Sequence, residues 1–191
     1  MTNIKKIFSH IRTSAHILVV LLIVICPFSR GSASTDGSAS EFFDTNWGNL
    51  QEELVTARKE EKVGILIMWM EPDCPWCEKM KATTLRDSEV ISYFKKHFRI
   101  FELDEIGDGK IVDFAGVEKT ERELAHENRA RVTPTFIFYD LEGRSMTTFV
   151  GSAKNAKQFL LLGQFVVSGE YKKADRTFRQ FENSIRTSTS R

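Results

Sequence analysis

"KVGILIMWMEPDCPWCEKM" (62–80) is the stretch on which the fold turns. Its first half, Lys62 to Met70, is a continuous apolar run entered through charged residues. That run is short enough for a strand buried on both faces, as at the centre of a parallel sheet. Its second half holds Cys74 and Cys77, two of only three cysteines in a chain of 191 residues. "EKMKATTL" (78–85) follows and opens with good helix formers. A buried strand therefore feeds directly into a helix that begins at the cysteines.

That placement matters for the chemistry of a thiol. At a helix N-terminus a sulfur faces unpaired backbone N–H groups and the positive end of the helix dipole, and both favour thiolate. Lowering the pKa from about 8.5 to about 7 raises the thiolate fraction at neutral pH from ~3% to ~50%. Cys74, ahead of the first turn, is expected to be exposed and to act as nucleophile. Cys77, one turn in, is expected to be buried and to act as resolving thiol. Pro75 suits the first helical position, where it loses no hydrogen bond. Two other readings compete. A passive staple closing so small a loop would stabilise by only ~2 kcal/mol, and a chain with fifteen Phe has a well-filled interior without it. A zinc site would need two more ligands, and beyond residue 34 only His97 and His126 are available, both expected on helix surfaces.

The remainder of the chain alternates elements. Trp47, Leu50, Leu54 and Ala57 recur at helical spacing and predict a first amphipathic helix. Asp87 or Ser88 can cap a helix whose face is Val90, Ile91, Phe94 and Phe98. "FRIFELDE" (98–105) reads as a second strand, residues 106–119 as an inserted loop, and Thr120 with Glu123 as a capping box opening a short helix to about Asn128. "TPTFIFYD" (133–140) and "SMTTFV" (145–150) predict an antiparallel hairpin. An apolar helix is expected from Asn155 to Val167, then a last one through Tyr171, Ala174, Phe178, Phe181 and Ile185. The order predicts an α/β sandwich. Trp69 can pack in the core or line a groove. "DEIGDGK" (104–110) has the opening of a calcium loop, but Ile106 and Ala115 occupy ligand positions and the match fails.

Charge and targeting set the context. The net charge is +1, yet residues 1–34 carry Lys5, Lys6, Arg12 and Arg30 and no acid. The rest holds 23 basic residues (27 less those four) against 26 acidic ones, which gives no electrostatic reason to expect nucleic acid as a partner. The basic start and the run "HILVVLLIVIC" (16–26) predict a secretory signal over 1–34, with Ser32-Ala33-Ser34 as cleavage pattern; an uncleaved anchor is the alternative. Ile25 before Cys26 argues against lipidation. Cleavage would remove Cys26 and leave one cysteine pair in a compartment where disulfides form. Residues 35–45 are expected to be a flexible spacer, and 46–187 the folded domain.

"CPWC" (74–77) taken with "RVTPTFIF" (131–138) resembles the thioredoxin superfamily. The resemblance covers about residues 47–167 and implies a thioredoxin-like α/β fold, a mixed central sheet flanked by helices, here with an extra C-terminal helix. It implies that Pro134 is the cis-proline opposite the redox pair and that the backbone of Thr133 pairs with an extended substrate segment, with Pro75 and Trp76 also touching substrate. Gly151 matches a glycine typical of the family. Residues 73–98 and 132–140 and the tail "GQFVVSGEYKKADRTFRQF" (163–181) look most like exported SoxW-type proteins. Those are associated with disulfide reduction using electrons passed across the membrane. A monomeric periplasmic reductase is thus implied, acting on disulfide-containing proteins and recharged by a donor of the DsbD or CcdA kind. Its electrons are carried by the Cys74–Cys77 couple without an external cofactor. A DsbA-like oxidase or an isomerase using the same pair is the alternative, and a non-catalytic binding module a third reading. The chain departs from thioredoxin in two places. Its Pro-Trp dipeptide implies a potential between about −270 and about −120 mV. Met68 stands where thioredoxins carry a buried Asp, leaving Glu71 and Glu78 as nearby acids.

Overall fold

The computed structural model describes residues 39–174 and 176–189. The expected signal segment, Cys26 and the start of the spacer lie outside the described residues. The chain runs α1 (Ala39–Phe42), α2 (Leu50–Lys59), β1 (Gly64–Met70), α3 (Pro75–Ala82), α4 (Ser88–His97), β2 (Phe98–Asp104), β3 (Lys110–Val112), β4 (Glu118–Thr120), α5 (Glu121–Glu127), β5 (Thr135–Tyr139), β6 (Ser145–Val150), α6 (Ala156–Val167) and α7 (Phe178–Thr189). Four strands form a mixed sheet in the order β2-β1-β5-β6. β1 is parallel to β2 and antiparallel to β5, and β6 closes the hairpin.

Strand β1 is apolar at every position because its two faces supply two cores. Ile65, Ile67 and Trp69 point into a cluster with Leu50, Leu54 and Ala57 of α2 and Leu124 of α5. Leu66 and Met68 point into the other, with Cys77 and Met80 of α3, Phe94 of α4 and Phe159 of α6. The strand period of two does this sorting. On the second face Phe94 stacks on Phe159 at 4.5 Å and 13°. The capping predictions hold: Asp87 Oδ1 accepts from the N–H groups of Glu89 and Val90, and Thr120 and Glu123 cap each other reciprocally. Trp69 is fully buried, in the cluster opposite the cysteines, so it lines no groove beside them.

Five local expectations need correction. Trp47 is 80% exposed and lies before α2, because Asn49 ends the extended chain by accepting from Glu52 N. Phe98 starts β2 instead of closing the face of α4. Phe42, inside the stretch expected to be spacer, is fully buried within 5.8 Å of Phe94. Asp44 N beside it donates to Ile100 O at 2.7 Å. Small polar residues up to Ser40 hide this docking from a composition reading. Residues 106–119 are also more than a loop. β3 and β4 pair there, and Ile111 inserts into the core. Tyr171 precedes the last helix, which docks through Phe178 and Phe181 against Phe165 at 5.9 and 5.4 Å.

At the junction of β2 and α5, Glu121 Oε2 accepts from Asp104 N at 3.3 Å. Burial pushes its carboxyl above the ordinary value of 4.5; the Asp104 N–H opposes this and the charge of Asp104 adds to it. A folded-state pKa above the unfolded one means the folded form binds the extra proton. Its contribution to stability is full below the unfolded pKa and is lost as the pH rises through the folded one. Glu121→Gln should therefore melt above wild type at pH 7, with the gap closing below pH 4.5. A constant gap across a pH series of melting curves would contradict this.

Candidate active site

Three chain segments meet around the cysteines: the β1–α3 loop, the β5 entrance and the β6–α6 loop. Cys74 and Cys77 are joined as a disulfide with Cα atoms 5.2 Å apart. Cys74 is the N-cap of α3 and Pro75 is its first residue. The Cys74 Sγ accepts from Cys77 N at 3.1 Å, so the sulfur takes the place that a Ser or Asp oxygen takes at an ordinary cap. An ionised Sγ there would receive a charge-assisted hydrogen bond as well as the helix dipole.

Cys77 is fully buried, as its position in the helix predicts, but Cys74 is buried too, at 3% exposure, against expectation. The disulfide and the cap hydrogen bond turn its sulfur back over the helix, into the cluster that holds Phe136 and Ala153. Exposure falls instead on Pro75 and on Trp76, which is 58% exposed.

The Thr133–Pro134 peptide is cis. Pro134 is buried and Thr133 partly so. Thr133 Oγ1 donates to Glu71 Oε1 at 3.1 Å, tying the β5 entrance to the loop before the cysteines. Pro134 O accepts from Gly151 N at 2.8 Å, and Gly151 holds φ +90°, a conformation that favours glycine. Ser152 Oγ in turn donates to Trp76 O at 3.4 Å. Sequence reasoning passed over Ser152, and its one signal is adjacency to Gly151.

Of the two acids expected near Cys77, Glu71 is engaged by Thr133, while Glu78 lies exposed, 3.4 Å from Lys81 Nζ. Lys81 reaches Glu102 more closely, at 2.8 Å, and Glu102 is the register partner of Met68 on β2. Burial, then the charges of Glu71 and Asp104, push the Glu105 carboxyl up, marking an acidic edge on this side. His97 ends α4 and His126 lies exposed on α5. Among the described residues no three His, Cys, Asp or Glu side chains gather in a way that could hold a metal ion.

A helix opened by a CPWC disulfide, a cis-proline at the entrance of the neighbouring strand and a β2-β1-β5-β6 sheet form a known combination, and the profile of the thioredoxin-like domain matches residues 50–166. The chain belongs to the thioredoxin-like family. The fold agrees with solved structures. A thioredoxin-fold protein from Helicobacter pylori aligns at 19% identity and TM-score 0.58, over 80% of this chain and 92% of its own. The DsbH oxidoreductase aligns at 20% identity and TM-score 0.50, over 66% of this chain and 84% of its own. No curated protein matches significantly. A thioredoxin-like domain whose CXXC-spaced cysteines are joined as a disulfide supports a thiol-disulfide oxidoreductase.

Proposed function

We propose that this thioredoxin-like protein is an exported disulfide reductase, with Cys74 as nucleophile and Cys77 as resolving thiol. The observation that carries the reading is the Cys74 sulfur at the N-cap of α3, hydrogen-bonded to Cys77 N. In the reduced protein the Cys74 thiolate attacks one sulfur of a substrate disulfide. The substrate S–S bond breaks, the first substrate thiolate leaves and takes a proton, and a mixed disulfide remains. The Cys77 thiolate then attacks Cys74 Sγ, expels the second substrate thiolate and closes the disulfide of the oxidised protein. Two electrons pass to the substrate, and a dithiol donor at the membrane, of the DsbD or CcdA kind, restores them. Thr133 and Pro134 would hold an extended substrate segment, with Pro75 and Trp76 against its side chains.

Export rests on the basic and apolar pattern of residues 1–34 and on the SoxW-type resemblance. Among the described residues no helix is long and apolar enough to cross a membrane. The direction of flow is tested in the cell by acid quenching and thiol alkylation of the exported protein. A Cys74–Cys77 pair held mostly reduced in an oxidising compartment is the expected result. A mostly oxidised pair would assign it to disulfide formation instead.

A further inference from the structure

A cleft of about 530 Å³ adjoins the dipeptide between the two cysteines. One wall is α3 and the turn after it, with Trp76, Lys79 and Thr83; the other is the β6–α6 loop, with Ser152 and Lys154. The Ser152 bond to Trp76 O spans the two walls at the disulfide end. We propose that this cleft is a specificity subsite for a carboxylate-bearing segment beside the substrate disulfide, and that Lys79 and Lys154 select it. The inference rests on the reading of Cys74 and Cys77 as the reactive pair.

Which charges are free decides what the cleft can hold. The ammonium groups of Lys62, Lys81, Lys95, Lys119 and Lys173 each sit within ion-pair distance of a carboxylate. Among the described residues Lys79 and Lys154 have no such partner, as is also true of Lys59, Lys96, Lys110, Lys157 and Lys172, but of these only Lys79 and Lys154 line the cleft. Lys79 Nζ lies 5.1 Å from the centroid of the Trp76 ring instead. Asp87 also lines the cleft, but its Oδ1 is spent on the first N–H groups of α4. The cleft therefore presents two cations against the single carboxylate of Asp87, a net positive lining around a half-exposed aromatic surface. Glu71, Asp104 and Glu105, close enough for the charges of the first two to raise the Glu105 carboxyl, form an acidic edge that lines no part of this cleft. A field running from that edge to the lysines would fix the direction of an extended substrate segment, its acidic side chain toward Trp76.

The same charges make the selectivity measurable with small disulfides. The reduced protein is mixed with the dianion 5,5′-dithiobis(2-nitrobenzoate) or with the uncharged bis(2-hydroxyethyl) disulfide. Each reaction consumes one probe and yields two small thiols and the protein disulfide. In the double variant Lys79→Gln/Lys154→Gln the rate with the dianion should fall about fivefold, the scale of two exposed charge pairs. The wild-type rate with the dianion should approach that of the variant as salt is raised from about 0.05 to about 0.5 M, where screening is within a few ångströms. The rate with the uncharged probe should not change. Equal losses with both probes, or no loss with either, overturn the subsite and leave the redox reading intact. A wild-type protein inert to both probes overturns both.

Discussion

Cys74→Ser should abolish disulfide reduction, lowering the rate of insulin reduction by at least about 10³-fold, because only a thiolate attacks a disulfide at a useful rate. The fold should survive the change. The lost crosslink closes a loop of a few residues and is worth ~2 kcal/mol, and although Cys74 belongs to one core, the change swaps a single sulfur for oxygen in a cluster carried by larger side chains such as Phe94, Phe136 and Phe159. Cys77→Ser gives the complementary result. The first attack still occurs, but nothing expels the second thiolate, so a mixed disulfide through Cys74 should accumulate and be visible on a non-reducing gel. The pair of variants tests the order of events as well as the chemistry. A Cys74→Ser protein that still reduced insulin, or a Cys77→Ser protein trapped through no mixed disulfide, would contradict the assignment. A binding module with a structural crosslink would show neither the activity nor the trap.

Gly64→Ala should be the most damaging small change to the fold. A Cβ at that position would stand 1.9 Å from Tyr139 O and 3.0 Å from Tyr139 C, both backbone atoms of the neighbouring strand. Alanine normally gains up to about 1 kcal/mol over glycine in a strand. Here the overlap can be relieved only by parting β1 from β5 next to the Ile65–Tyr139 pair. Overpacking of that kind costs about 3 kcal/mol, a large fraction of a total that is typically about 5–15 kcal/mol. The expected drop in Tm is roughly 10 °C. A variant melting within about 2 °C of wild type would show that the strands give way at little cost.

Much of this arrangement was legible because its signals are local. The run Gly64–Met70 is apolar at seven successive positions, and burial on both faces is the one strand environment that asks for it. Capping is equally local, since Asp87, Asn155 and the Thr120/Glu123 box each act on N–H groups within three residues. The features that were missed depend on what the chain meets far away in sequence. Phe42 is buried because Phe94 and Phe159 provide a slot for it. Trp47 has helical spacing from Leu50 yet no surface to cover. Ile111 turned an apparent insertion into a hairpin by finding the far core. Cys74 became buried through its bond to Cys77 and the surroundings that hold the pair.

What the sequence by itself determined, then, is the succession of elements, the two-faced central strand and the cysteine pair at a helix start, since hydrophobic period, caps and spacing act over a few residues. Only the tertiary structure decided which distant segments surround that pair. Glu71 meets Thr133 across 62 positions, and Ser152 meets the backbone of Trp76 across 76. It also left Lys79 and Lys154 without carboxylate partners on the walls of one cleft. Charge pairing of that kind depends on packing, and no spacing along the chain encodes it.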